Sequence, residues 1–320
     1  MLSIGLVLGA GGVVGSAYHA GSLAALADQT GWDPRRATVI VGTSAGSGIG
    51  ATLRAGLPVI DQFNRVVGRP ISPDTSRRIE GMPSLQLPAP QEVSLRPAPA
   101  SPTMVARSIL RRGRVRPGVA LAGGLPRGRV PTDVVATRVN WLHDQHWPTD
   151  ALWICAVELG SGQRVVFGRN RHDADVGTAV AASSAIPGFF APVAVGRQEF
   201  VDGGTHSPTN LDLTADLHLD LVVAVSPMSA TRSAQGRDLS SLNRGLHART
   251  LAGEVRRVRQ AGTPVLVLQP TRSDRAVMGD QLMDPDRMAA TAEQAYLSVA
   301  GKLARDDSRQ AVEILRAAVR

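Results

Sequence analysis

A serine, Ser44, stands between Gly42 and Gly46 in the pattern Gly-x-Ser-x-Gly. The β-branched run Thr38–Val41 precedes it and the helix-forming stretch Ser47–Ala55 follows it, so we predict that the serine lies at a sharp strand-to-helix turn. The glycines leave room for neighbouring backbone, and the first N–H groups of the helix would face a developing negative oxygen. The pattern predicts a nucleophile elbow, although taken alone it also fits a purely structural turn.

A second glycine-rich turn follows the first strand. The apolar run Leu2–Leu8 predicts a buried strand, and Gly9–Gly15 leads from it into a helix. Neighbouring parallel strands end at the same edge of a sheet, so this turn and Ser44 are expected to lie side by side. The N–H groups of Gly11 and Gly12 would then hold the oxyanion of a tetrahedral intermediate, although tight packing of strand against helix explains either glycine equally well.

The two glycine turns do not fit the common nucleotide-binding patterns. A dinucleotide site needs G-x-G-x-x-G and an acidic residue at the end of the second strand. Here the spacing is Gly9-x-Gly11-x-x-x-Gly15, and the second strand runs into residues 42–44 without an acid. A phosphate-binding loop is excluded as well, because no lysine follows the glycines.

A carboxylate for general-base chemistry is offered by Asp202. It follows a brief predicted strand, Glu199–Val201, and precedes Gly203 and Gly204, which allow close approach of another backbone. Within hydrogen-bond reach of a serine, an aspartate with a pKa raised by partial burial takes the proton during attack and returns it to the leaving alcohol. A single Asp-Gly is, however, more often a simple turn.

Four segments together carry a family resemblance. They are, in chain order, Gly9–Gly15, Gly42–Gly46, Ser183–Val193, and Val201–Gly204 continuing to Asn210. On these segments the sequence resembles the patatin-like phospholipase family, over roughly residues 2–68 and 131–225. The resemblance implies a three-layer α/β/α sandwich with a mostly parallel central sheet, and lipid acyl esters as typical substrates. One departure is that Val13 and Val14 stand where many members carry Arg or Lys.

The resemblance also implies roles for individual residues. Ser44 would be the nucleophile and Asp202 the general base of a Ser-Asp dyad, with Gly11 and Gly12 as oxyanion donors. The supporting glycines of the motifs are Gly9, Gly15, Gly42, Gly46, Gly203 and Gly204. His206, His218 and His247 follow Asp202, so chain order alone allows a triad. We nevertheless expect no histidine to complete one, because a direct Ser-Asp contact leaves no place for an imidazole.

The remaining elements predict one patatin-like domain over residues 1–320. Only 3% of the residues are aromatic, whereas 33 are Gly, so the core must pack mainly small aliphatic side chains, and this favours α/β layers. Further strands are predicted at 152–159, 164–167, 199–201, 219–225 and 264–268, and further helices at 16–28, 58–67, 132–141, 175–184, 241–261, 286–304 and from 307. Residues 241–320 form a helical part with one strand.

Residues 69–130 are predicted to be an insertion outside the sheet. They contain ten prolines and an arginine cluster at 107, 111, 112, 114 and 116. A long segment of this kind is either a poorly ordered surface excursion or a functional lid, here a cap that contacts a membrane. The short stretch Val105–Leu110 with its flanking arginines fits the second alternative as a basic amphipathic segment.

Composition limits the partners. The net charge of +8, with 34 of 35 basic residues Arg, fits nonspecific attraction to polyanions and peripheral contact with anionic membranes. Aromatic residues for base stacking are scarce, so nucleic acid is not expected. The start of the sequence is unlike a signal peptide and no apolar run could span a membrane, which favours the cytoplasm. Cys155 is expected in the core, and the seven histidines lack metal-ligand spacing, so no cofactor or metal is predicted.

These observations predict a serine acyl hydrolase of lipase or phospholipase type that cleaves lipid acyl esters through an acyl-enzyme intermediate. Two alternatives stay open. One is an esterase or thioesterase that acts on soluble acyl compounds, and the other is a noncatalytic lipid- or nucleotide-binding protein of the same fold. The presence of both Ser44 and Asp202 speaks against the noncatalytic alternative. The head group, the acyl-chain preference and the oligomeric state stay open.

Overall fold

The structure is a computed structural model that describes residues 2–84, 99–101, 104, 116–144, 146–171, 173–231 and 239–319. Within these residues the chain forms one eight-stranded sheet. Its strands are β1 (Ile4–Leu8), β2 (Val39–Thr43), β3 (Ala151–Glu158), β4 (Arg164–Phe167), β5 (Val193–Val195), β6 (Gln198–Asp202), β7 (Leu221–Val225) and β8 (Val265–Leu268). Their spatial order is β5-β6-β3-β2-β1-β7-β8, and β4 pairs with β3 outside this order.

The centre of the sheet is parallel and buried on both faces. Strands β3, β2, β1, β7 and β8 run parallel, whereas β4, β5 and β6 pair antiparallel. Successive residues of one strand point to opposite faces of the sheet and therefore into different apolar clusters. Leu6 of β1 and Ile40 of β2 belong to one cluster, and the residues that follow them, Val7 and Val41, belong to the other. The predicted mixed α/β fold, with helices flanking a mostly parallel sheet, is confirmed.

The helices that cover the sheet largely follow the predicted pattern. They are α1 (Gly12–Thr30), α2 (Ala45–Arg54), α3 (Val59–Val66), α4 (Pro73–Ile79), α5 (Pro117–Gly124), α6 (Asp133–His143), α7 (Val176–Ser183), α8 (Leu239–Gln260), α9 (Arg272–Met278), α10 (Met288–Leu303) and α11 (Arg309–Ala317). Helix α1 starts four residues before the predicted start because the glycine turn itself forms its first turn. The predicted helix at 286–304 begins instead with a short 3₁₀ turn, Pro285–Arg287. None of the described helices combines the length and the apolarity needed to cross a membrane.

The insertion contributes helices to the described structure. Helices α4 and α5 both lie within residues 69–130, and both begin with a proline, which lacks the N–H that a first helical turn leaves unpaired. The described residues of the insertion add no strand to the sheet and form two isolated bridges, one between Pro99 and Pro126 and one between Val130 and Phe190. The stretch Val105–Leu110 and the arginines at 107, 111, 112 and 114 lie outside the described residues.

Strand β3 sets the relative position of two strand ends. Its residue Cys155 pairs with Thr43, the last residue of β2. Its next residue, Ala156, pairs with Asp202, the last residue of β6. The turn after β2 and the turn after β6 are therefore neighbours, although β2 is parallel to β3 and β6 is antiparallel to it.

Candidate active site

Ser44 lies at the sharp turn between β2 and α2. Its backbone has φ 53° and ψ −123°, a positive φ that a non-glycine residue rarely adopts and that is typical of strained functional turns. The flanking glycines are required by space: a Cβ on Gly42 would lie 2.5 Å from Ser47 Cα, and one on Gly46 would lie 2.0 Å from Leu8 O. The strand-to-helix turn that the sequence predicts is present, and close backbone packing holds it.

A second, buried serine, Ser183, connects this turn to β3 by hydrogen bonds. The N–H of Ser44 donates a hydrogen bond to Ser183 Oγ at 2.9 Å, and Ser183 Oγ donates to Cys155 O at 2.6 Å. Ser183 is fully buried at the end of α7. It lies in a segment that the sequence singles out, but only the fold shows that it ties the elbow to β3.

Asp202 lies beside Ser44 and is almost completely buried. Its carboxylate accepts a hydrogen bond from the N–H of Gly204 at 2.7 Å and lies close enough to the Ser44 side chain for the two to interact. Burial raises the pKa of Asp202 to about 6, although its interactions with the Ser44 side chain and with the N–H of Gly204 act in the opposite direction. A Cβ on Gly203 would lie 2.2 Å from Cys155 O, so this glycine is what allows the turn to pass close to β3.

The glycine turn after β1 lies at the same cavity as Ser44. Gly11 precedes α1, and Gly12 has φ 62°; a Cβ on Gly12 would lie 2.7 Å from Leu282 O. Within the part of the chain that the structure describes, the N–H groups of Gly12 and Val13 find no acceptor. Both residues line the cavity that contains Ser44, whereas Gly11 does not. Val13 is thus a residue of the cavity wall that the sequence analysis did not single out.

Two contacts hold the glycine turn in place. The N–H of Ala10 donates to Pro208 O at 2.8 Å, and Nε2 of the buried His19 lies 2.7 Å from Gly9 O. Burial lowers the pKa of His19 to about 4, although its hydrogen bond to Gly9 acts in the opposite direction. The imidazole is therefore neutral at neutral pH, and since a carbonyl only accepts, Nε2 carries the proton. His19 is a structural histidine of this turn.

The segment after Asp202 is held by a buried carboxylate. Glu254 on α8 accepts hydrogen bonds from Ser207 Oγ and Thr209 Oγ1, each at 2.6 Å, and from the N–H of Leu211 at 3.0 Å. The same segment contains Pro208, whose carbonyl anchors the glycine turn. No local sequence signal marks Glu254, because its partners are more than forty residues away along the chain.

A cavity of about 850 Å³ opens from Ser44 between the helices. It follows α2 and is walled by α1, α3 and α6, with apolar side chains such as Ile49, Val139 and Phe190. A volume of this size accommodates a substantial organic ligand. Among the described residues, no group of three or more His, Cys, Asp or Glu side chains is arranged to hold a metal ion.

Of the three histidines that follow Asp202, two make other contacts in the described structure and the third is exposed. His206 faces Arg116, Arg164 and Asp212, and burial followed by the charge of Arg116 lowers its pKa to about 4. Nδ1 of His247 lies 3.4 Å from the backbone carbonyl of Met228. His218 is exposed and precedes β7, at the opposite end of that strand from the site.

A helix-flanked mixed sheet with a strained serine at a strand-to-helix turn, beside a large cavity, defines a class of α/β hydrolytic proteins. The family model for Patatin-like phospholipase matches residues 6–215 of the chain. The chain belongs to this family, as the sequence motifs indicated. Family membership supports a hydrolase that acts on lipids.

The chain also resembles solved structures at low sequence identity. It is 11% identical to VipD from Legionella pneumophila, with a TM-score of 0.40, and the match covers 94% of this chain and 67% of that one. It is 19% identical to the type III effector protein ExoU, with a TM-score of 0.36, over 96% of this chain and 53% of that one. The chain thus spans about half the length of the ExoU chain. Among curated proteins, no sequence matches.

Proposed function

We propose that the protein is a serine acyl hydrolase that cleaves lipid acyl esters through an acyl-enzyme intermediate. The observation that carries this proposal is the placement of Ser44, at a strained turn, beside the buried carboxylate of Asp202 and a large, mostly apolar cavity. In this proposal Ser44 is the nucleophile and Asp202 is the general base. Action in the cytoplasm, with peripheral contact to anionic membranes, belongs to the same proposal.

The reaction divides into two steps. In the first, Ser44 Oγ attacks the acyl carbonyl while its proton passes to Asp202, which then protonates the leaving alcohol. In the second, Asp202 removes a proton from water as the water attacks the acyl-enzyme, and the proton returns to Ser44 when the acid leaves. Each step passes through an oxyanion.

The oxyanion would be held by backbone donors that are already in place. Gly12 and Val13 line the cavity at the start of α1, and their N–H groups have no acceptor among the described residues. The predicted donor Gly11 directly precedes them. Preorganised N–H groups at a helix start stabilise developing negative charge without reorganisation during the reaction.

The pKa of about 6 suits Asp202 to this role. At neutral pH the carboxylate is mainly ionised and is a stronger base than an ordinary aspartate. Removal of the Ser44 proton by a group of this basicity is more favourable than by a solvated carboxylate.

The proposal is tested with a fluorophosphonate probe that labels activated serines. The wild-type protein is expected to be labelled, and Ser44→Ala is expected to lose all labelling. Ser76→Ala is the matched control, because Ser76 is exposed on α4 and does not line the cavity. Labelling that persists in Ser44→Ala would contradict the proposed nucleophile.

A further inference from the structure

Two arginines line the same cavity as Ser44: Arg65 on α3 and Arg138 on α6. Among the residues that the structure describes, neither forms an ion pair with a carboxylate. The guanidinium of Arg138 donates to the carbonyl of Pro83, which carries no charge. The cavity wall therefore contains two cations without a described counter-charge.

The carboxylates that share the cavity wall are engaged elsewhere. Asp61 accepts hydrogen bonds from the Ser72 hydroxyl at 2.5 Å and from the Thr75 hydroxyl at 2.6 Å. Asp284 pairs with Arg287 at 3.1 Å. Burial raises the pKa of Asp61, but the hydrogen bonds from Ser72 and Thr75 outweigh it and lower that pKa overall. Asp61 is thus a stable anion whose hydrogen-bond donors are neutral, and the cation that lowers its pKa further is Arg35 and neither Arg65 nor Arg138.

The two arginines interact electrostatically with each other. Surrounding protein atoms lower the pKa of Arg65, although the residue is exposed. Burial lowers the pKa of Arg138, and the positive charge of Arg65 lowers it further. Both stay protonated, because an arginine in a protein does not lose its proton. An anion between them would relieve this repulsion and offer the planar forks their preferred bidentate partner.

The rest of the wall is suited to a hydrocarbon chain. Along α2 the cavity extends from Ala45 to Thr52, which corresponds to about 10 Å of helix. Opposite α2 lie apolar side chains of α6, among them Val135 and Val139. A ligand that fills the cavity would place an ester at Ser44, an acyl chain along α2 and an anionic group at the arginines.

We propose that Arg65 and Arg138 form a subsite for an anionic oxygen group of the substrate, a phosphate or a carboxylate. The inference rests on the proposed function and narrows its substrate class to acyl esters that carry such a group. The anion has two sources: a phosphate in the head group, or a carboxylate at the far end of the acyl chain. Both present the same chemistry to a pair of guanidinium groups.

Matched substrate pairs test the subsite and separate the two sources. The carboxylate pair is a 4-nitrophenyl monoester of decanedioic acid beside 4-nitrophenyl decanoate. The phosphate pair is a monoacylglycerol phosphate beside the monoacylglycerol with the same chain. The measured quantity is the ratio of kcat/KM for the anionic to the neutral member, in wild type, Arg65→Gln, Arg138→Gln and the double variant.

We expect each single substitution to lower this ratio about tenfold in at least one pair, because hydrogen bonds to charged groups contribute that much or more to binding. A fall confined to the phosphate pair assigns the anion to the head group, and a fall confined to the carboxylate pair assigns it to the chain end. Arg197→Gln is the matched control, since Arg197 is exposed in the turn between β5 and β6. Ratios that stay at the wild-type value in both pairs would overturn the subsite.

A binding measurement separates this inference from the proposed hydrolysis. Calorimetry with Ser44→Ala compares dodecyl phosphate and dodecanoate with dodecanol, with and without the two arginine substitutions. Binding of either anion that weakens about tenfold on loss of an arginine supports the subsite, even if the wild type hydrolyses no ester. Binding that does not depend on the arginines overturns it, even if Ser44-dependent hydrolysis is found. Thermal unfolding of each variant confirms that the compared proteins are folded.

Discussion

Ser44 and Asp202 are brought together by two consecutive residues of one strand. Thr43, which precedes Ser44, pairs with Cys155, and Asp202 pairs with Ala156. The contact between hydroxyl and carboxylate thus depends on backbone pairing within the sheet, which is more rigid than a contact between two loops. A proton acceptor held this way needs no reorganisation when the serine reacts.

The first prediction concerns the proposed dyad as one unit. Ser44→Ala and Asp202→Asn are each expected to lower kcat by about three orders of magnitude or more, because a nucleophile and its base fail together. The double variant should be no slower than the worse single variant. Steady-state rates on a chromogenic acyl ester check this, with circular dichroism to confirm folding. Losses that multiply in the double variant would argue against a unit.

A second prediction is the pH dependence of the reaction. Burial raises the pKa of Asp202 to about 6, and only the ionised carboxylate can accept the serine proton. Below pH 6, kcat/KM is therefore expected to fall about tenfold for each pH unit. Above pH 7 the carboxylate is ionised, and kcat/KM should no longer rise with pH. An acidic limb centred near 4, the value of a solvated aspartate, would contradict a buried base.

The third prediction is that no histidine completes a triad. His206→Ala, His218→Ala and His247→Ala are each expected to keep kcat/KM within about tenfold of wild type, which corresponds to about 1.4 kcal/mol of indirect effect. The described contacts of His206 and His247 are with other groups than Ser44 or Asp202. Asp202→Asn is measured beside them. A loss for one histidine as large as that for Ser44→Ala would replace the dyad with a triad.

The fourth prediction compares two glycines of α2. A Cβ on Gly46 would lie 2.0 Å from Leu8 O, so Gly46→Ala must displace β1 or the elbow, and we expect it to destabilise the protein by about 3 kcal/mol or more. Gly48→Ala is the matched control, since the nearest atom to its Cβ is Val180 Cγ1 at 4.0 Å. Alanine favours helices, so this variant should gain up to about 1 kcal/mol. Urea unfolding measures both, and equal stabilities would refute the packing argument.

The fifth prediction concerns Glu254 as a positioning residue. Glu254→Ala leaves two buried hydroxyls and one N–H without their acceptor, which we expect to cost about 2–4 kcal/mol of stability. Because the same segment holds the glycine turn through Pro208, kcat should fall while KM changes little. Glu254→Gln keeps one acceptor and should lie between wild type and Glu254→Ala. A stability loss with unchanged kcat would leave Glu254 a purely structural residue.

Local patterns in the sequence determined most of the fold class and the candidate nucleophile. The apolar runs that became β1, β2, β3 and β7 and the glycine-flanked Ser44 are signals carried by a few adjacent residues. Such signals can be interpreted from the sequence because backbone sterics and burial act within one turn or strand. Strand β5, with three residues, and helix α9, with seven, are too short to show a period and were missed.

Only the tertiary structure decided which distant groups meet. The anchoring of Ser44 by Ser183, the support of the glycine turn by His19 and Glu254, and the placement of Arg65 and Arg138 on one cavity wall each join separate elements. No short pattern encodes such contacts, because they depend on strand register and helix packing summed over the whole chain. The sequence by itself determined which residues have the required chemistry, whereas the packing of the sheet and helices decided their distances, their burial and hence their pKa values.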